Sequence, residues 1–140
     1  MARIQIDLPQ SFVFRTELPL YVQHLNPRGH LDNAQVLALA SEARMRFFCS
    51  QGYSGEDVES LGIVLADTAV QYKSEAFHGE VLAFELAPAE FNKYGFDLMW
   101  RVSEAVSGRE VARGKTGIVF FDYAARRIAP APESFVRRFA

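Results

Sequence analysis

Between His24 and Gln35 the chain reads HLNPRGHLDNAQ, which places two imidazoles, three carboxamides and one carboxylate around Pro27 and Gly29. Such a set can hold a carbonyl or a water molecule by hydrogen bonds. Acyl transfer needs that, together with a group that takes a proton or attacks directly. Asn26 offers a carboxamide, which orients but has no ionisable proton at working pH. His30 can exchange a proton near neutrality and act as a general base. Asp32 is a carboxylate, yet it also suits a helix N-cap, where backbone amides would lower its pKa and weaken it as a base. The next carboxylate is Glu42. It stands four residues before Arg46, so it can form a helical ion pair of about 0.2–0.5 kcal/mol or the rim of a site.

Other chemistries find little support. His24, His30 and His78 are too scattered for metal-ligand spacing, and no metal is expected. His24 reads as a surface residue and His78 as part of a turn beside Gly79. No glycine-rich phosphate loop follows a strand, so Rossmann or P-loop nucleotide binding is unsupported. The single cysteine, Cys49, has no partner for a disulfide or a thiol metal site. Beside Phe47 and Phe48, it reads as a small core residue.

The apolar pattern predicts the elements that position the loop. FRTELPLYV, from Phe14 to Val22, roughly alternates as a strand, with Pro19 arguing for an edge or a bulge. Val36, Ala40, Ala43 and Phe47 recur at spacings of four, three and four, one face of a helix from about Ala34 to Gln51. Asp32 or Asn33 would cap it and Gly52 would stop it. Strands are expected over Gly62–Tyr72, Glu80–Phe91, Phe96–Glu104 and Glu110–Tyr123, with a hairpin turn at Ser107-Gly108-Arg109. Asp67, among apolar neighbours in its strand, would point outward or line a site from a partner subunit. One long helix with a wide apolar stripe, followed by four strands on short links, is an α+β arrangement in which an antiparallel sheet wraps the helix.

The 140 residues carry a net charge of −2, with 49% hydrophobic and 23% charged residues, the balance of one ordinary globular domain over 1–140. That charge speaks against a nucleic-acid binder. No apolar run approaches the ~20 residues of a membrane span, and MARIQIDLPQ does not resemble a signal peptide. A cytoplasmic setting is expected.

Four landmarks carry a resemblance. His24-Leu25-Asn26-Pro27-Arg28-Gly29-His30-Leu31-Asp32-Asn33 is similar to a D-x-D-x-x-G-H-x-N-N loop, and Ser41-Glu42-Ala43-Arg44 contains the E-A-R that follows it. Tyr72 to Glu80 looks like a Y-x-x-P-A-x-x-G-D segment, and Gly114-Lys115-Thr116 with the run Ile118–Phe121 and Asp122 like a final strand. In that order, over about residues 14 to 132, they resemble the hotdog-fold acyl-CoA thioesterases of the 4-hydroxybenzoyl-CoA thioesterase type. The resemblance implies an antiparallel sheet of five to six strands wrapped around one long central helix. It also implies a homodimer or homotetramer with sites at the dimer interface, and hydrolysis of acyl-CoA. No cofactor is implied beyond the coenzyme A of the substrate.

By the same resemblance, backbone amides of Gly29, His30 and Leu31 would face the thioester. The family's loop aspartate is here Asn26, so a loop Asn paired with a helix carboxylate, Glu42, is the expected machinery, with Asp32 a second candidate. Lys93, Arg113, Lys115, Arg126 and Arg127 are candidates for the phosphates of coenzyme A. Loss of the aspartate leaves a noncatalytic acyl-CoA binder as the alternative. A hydratase ranks below both, since no His and Asp are paired for that chemistry.

Overall fold

The computed structural model describes residues 2–140. In chain order it comprises β1 (Phe14–Pro19), a one-turn 3-10 helix (Val22–His24), α1 (Asn33–Ser50), β2 (Gly62–Tyr72), β3 (Val81–Ala89), β4 (Gly95–Glu104), β5 (Glu110–Asp122), β6 (Arg127–Ile128) and α2 (Glu133–Phe139). The strands form one six-stranded antiparallel sheet in the order β1-β3-β4-β5-β2, with β6 added to β5. Pro19 ends β1 at one edge of the sheet, where its missing N–H costs no ladder bond. The other edge is β2, which carries a bulge between Leu65 and Asp67.

Helix α1 begins where its cap predicts. Asp32 is extended at φ −69°, ψ 141°, and its carboxylate accepts the N–H of Ala34 at 2.9 Å. It stops at Gly52, whose φ of +91° suits a residue without a Cβ. The eighteen residues bury Val36, Leu39, Ala40, Ala43, Phe47 and Phe48 in the core. Cys49 corrects the expectation of a core residue, because it is exposed. At 100° per residue it lies about 200° around the helix from Phe47, outside the apolar stripe.

The inner face of the sheet is built by alternation. Leu82, Phe84 and Leu86 of β3, Leu98, Trp100 and Val102 of β4, and Ile118 and Phe120 of β5 are all buried in the same cluster as the α1 face. The indole N–H of Trp100 donates to Thr116 Oγ1 at 3.2 Å. Gly114 is needed opposite Trp100, since a Cβ there would run into the indole ring and the carbonyl of Ala69.

Three elements lie beyond the sequence expectation: the 3-10 helix at Val22–His24, since the strand expected as far as Val22 ends at Pro19, and β6 and α2. Strand β6 is only two residues long, and α2 only seven. Helix α2 is held by Phe135, fully buried, with ring centroids 5.0 Å from Phe96 and 4.9 Å from Phe139. On the outer face, the N-terminal segment crosses the sheet. Ile6 is buried there, donating its N–H to Gln71 and accepting from Arg113. No helix of the described residues is long and apolar enough to cross a membrane.

Candidate functional site

The loop ahead of α1 is fastened by its own side chains. His24 is buried, a correction to its reading as a surface residue. Its Nδ1 accepts the N–H of Tyr21 at 2.9 Å and its carbonyl accepts the N–H of Asp32 at 2.9 Å, so the imidazole holds the turn into the helix. Asn26 begins a tight turn that closes when Gly29 donates to the Asn26 carbonyl at 2.9 Å, with Gly29 at φ +84°. The Asn26 N–H in turn donates to the carbonyl of His30 at 2.9 Å.

The Asn26 side chain has one orientation available. Its Oδ1 accepts the N–H of Arg28 at 2.9 Å and, more weakly, that of His30 at 3.4 Å. Nδ2 must therefore face Nδ1 of His30, 3.3 Å away. A carboxamide nitrogen only donates, so Nδ1 is the acceptor and the neutral imidazole carries its hydrogen on Nε2. Nε2 lies 3.6 Å from Oε1 of Glu75.

The three amides expected to face a thioester are all engaged within the protein. Gly29 donates within its turn, His30 to Asn26, and Leu31 to the carbonyl of Ala76 at 2.8 Å. In the first turn of α1, Ala34 donates to the Asp32 carboxylate, while Gln35 and Val36 donate to its carbonyl. The N–H of Asn33 makes no hydrogen bond within the described residues. Asp32 is thus occupied as the cap. The Tyr72 hydroxyl donates to the Asn33 carbonyl at 3.0 Å, and burial, followed by the charge of Asp32, raises its pKa.

Asn26, His30, Leu31 and Asn33 share a cleft of ≈ 360 Å³ with Tyr72, Lys73, Ser74 and Glu75. Glu42 lines a separate cleft, with Tyr21, His24, Leu39 and Arg46. It accepts from Arg46 at 2.8 Å, and Arg46 reaches on to Thr16 Oγ1 and the carbonyl of Glu17, tying α1 to β1. Within one chain, Asn26 and Glu42 therefore line different clefts.

The basic candidates scatter too. Arg113 and Lys115 alternate with inward-facing Gly114 and Thr116, so they lie on the outer face of the sheet. Arg113 makes a two-pronged bond to Glu110 at 2.9 and 3.0 Å. Lys115 sits between Asp67, at 2.6 Å, and Asp97, at 3.1 Å; the hydrogen bond to Asp67 is the main reason its pKa is raised. Asp67 accordingly points outward. Lys93 is exposed over the ring of Tyr94, and Arg126 and Arg127 are exposed at the β5–β6 turn.

Two residues of the cleft escape the sequence reading. Lys73 is an exposed cation that makes no ion pair among the described residues. Glu75 stands where the similar Y-x-x-P-A segment carries proline, and that departure is the signal that could have found it.

A family model described as the thioesterase-like superfamily matches residues 21–139. The chain belongs to the thioesterase-like superfamily. The expectation of a thioesterase on a hotdog fold is thereby borne out at the level of the superfamily. Among solved structures, the chain is similar to a 1,4-dihydroxy-2-naphthoyl-CoA thioesterase from Synechocystis, at 22% identity and a TM-score of 0.79 over 88% of this chain and 92% of that one. It is similar to a thioesterase from Thermus thermophilus complexed with coenzyme A and Zn, at 24% identity and a TM-score of 0.80 over 94% and 95%. A putative thioesterase from Pseudomonas aeruginosa gives 20% identity and a TM-score of 0.82 over 93% and 100%. At these identities the likeness is one of fold: a six-stranded antiparallel sheet with two helices. No curated protein matches the chain.

Proposed function

We propose that this member of the thioesterase-like superfamily hydrolyses an acyl-CoA thioester in the cleft at the N-terminal end of α1. One observation carries this reading: Asn33, whose N–H is unbonded at a helix N-terminus, lines the same cleft as Asn26 and His30. There the N–H and the helix dipole favour negative charge, as a developing oxyanion requires. Asn26 and His30 shape the loop beside it, and Lys73 at the rim suits the phosphates of coenzyme A. Within the superfamily, the 4-hydroxybenzoyl-CoA thioesterase type is the proposed branch, on the strength of the four sequence landmarks.

The working unit in this proposal is a single-domain protomer in a cytoplasmic homodimer or homotetramer with its sites at the dimer interface. Two features support pairing. β2 is an edge strand with exposed Leu65, and α1 exposes Leu37 and Met45. Under this proposal Glu42, in its separate cleft, would meet a substrate only across such an interface.

The test is thiol release from a panel of acyl-CoAs, monitored with a thiol-reactive dye. Aroyl-CoAs belong in the panel because a similar structure is that of an aroyl-CoA thioesterase. Turnover supports the hydrolase. Ligand-induced thermal stabilisation with no thiol release would identify the noncatalytic binder instead.

A further inference from the structure

We infer that Glu75 is the proton-accepting carboxylate of this site, taking the place of the acid that Asn26 lacks; the inference rests on the hydrolase reading above. Asn26 cannot ionise, and Asp32 is occupied by the amide of Ala34. The lone pair of His30 lies on Nδ1, where Asn26 Nδ2 already donates to it at 3.3 Å. The carboxylate that remains in the cleft is Glu75, with Oε1 3.6 Å from His30 Nε2.

The backbone around Glu75 is fixed from several sides. Its carbonyl accepts from Arg109 at 3.0 Å, and the same guanidinium nitrogen bonds both oxygens of Glu80, at 2.9 and 3.1 Å. Ser74 Oγ donates to the Glu110 carbonyl at 2.7 Å, and Leu31 donates to the carbonyl of Ala76. The side chain lines the cleft and is 62% exposed, so water reaches it. Anchored backbone with an accessible carboxylate is what a general base needs.

Glu75 takes a proton from water as the water oxygen bonds to the thioester carbonyl carbon, and the carbonyl oxygen becomes an oxyanion at the Asn33 N–H. Collapse breaks the carbon–sulfur bond, and the proton held by Glu75 passes to the departing coenzyme A sulfur. His30 Nε2 lies 3.6 Å from the resting carboxylate, beyond hydrogen-bond distance, and the ring is held from its other side by Asn26.

The experiment compares wild type, Glu75→Gln and Glu75→Asp on the best acyl-CoA of the panel. Thermal unfolding and coenzyme A affinity are measured alongside. Glu75→Gln should lower kcat about 100-fold, within the range typical of a lost general base. KM, coenzyme A affinity and melting temperature should stay the same, and Glu75→Asp should recover part of kcat. A single turnover in oxygen-18 water should label the product acid and leave Glu75 unlabelled. Unchanged kcat in Glu75→Gln would overturn the inference while leaving the hydrolase reading intact, as would label on Glu75. Absence of turnover by the wild type would overturn both.

Discussion

Nδ2 of Asn26 stands 3.3 Å from Nδ1 of His30, and the carboxamide cannot be turned over because Oδ1 already accepts the N–H of Arg28 at 2.9 Å. A backbone amide thus sets an asparagine, the asparagine sets a histidine tautomer, and the tautomer leaves the hydrogen on Nε2, 3.6 Å from Glu75 Oε1. Asparagine is informative here because it offers one donor end and one acceptor end, where aspartate offers two acceptors.

Asn26→Asp should therefore move the His30 hydrogen. Nitrogen-15 NMR of the imidazole should show Nε2–H in the wild type and a protonated Nδ1 in the variant. A wild type already protonated at Nδ1 would contradict the hydrogen-bond assignment. Asn26→Ala removes the acceptor for Arg28 and the donor to His30. At about 0.5–1.5 kcal/mol per hydrogen bond, it should cost roughly 1–2 kcal/mol in denaturant unfolding.

The basic residues separate by where they lie. Lys73→Ala should raise KM for acyl-CoA several-fold, with the difference shrinking as salt rises, because an exposed charge is screened. Lys115→Met, on the outer face and held by Asp67 and Asp97, should leave KM unchanged and cost at most about 1 kcal/mol of stability. The reverse ranking would place the phosphates on the outer face.

Glu104 sets an acid limit on the β4–β5 hairpin. Its carboxylate accepts the N–H of Val106 and of Ser107, both at 2.9 Å, and these bonds hold its pKa below the ordinary 4.5. The fold favours the ionised form, so the contribution is complete above pH 4.5 and is lost as the pH falls below it. Glu104→Gln should be less stable than wild type at neutral pH. The gap should close as urea titrations are repeated in increasingly acidic buffer. A gap that widened in acid would contradict the assignment.

The frame of the molecule was readable from apolar spacing. The stripe of Val36, Ala40, Ala43 and Phe47 predicts α1 to within one residue at each end, since burial of a helix face and its pattern are the same physical fact. Pro19 likewise announces an edge strand. Helix α2 was hidden because two turns carry little periodicity, and what holds it is the distant contact of Phe135 with Phe96. His24 and Cys49 misled because exposure depends on what packs against a residue and where it lies around the helix. In the cleft, the loop residues were legible by type. Their partners Lys73 and Glu75 come from a segment about forty residues later, brought there by the Leu31 to Ala76 backbone bond, the His30–Phe77 bridge and the Tyr72 hydroxyl on the Asn33 carbonyl.

The Asn33 amide is the most direct point at which to test the proposed hydrolysis. Asn33→Pro deletes that single N–H and little else. Proline suits the first position of a helix, Asp32 already has the extended backbone that precedes a proline, and the carbonyl that accepts from Tyr72 remains. The control is Asn33→Ala, which keeps the amide. Steady-state thiol release should fall about 100-fold or more in kcat for Asn33→Pro, the scale of a lost oxyanion donor, and stay near wild type for Asn33→Ala. A folded Asn33→Pro protein that turns over acyl-CoA at the wild-type rate would contradict the placement of the reaction at the N-terminus of α1.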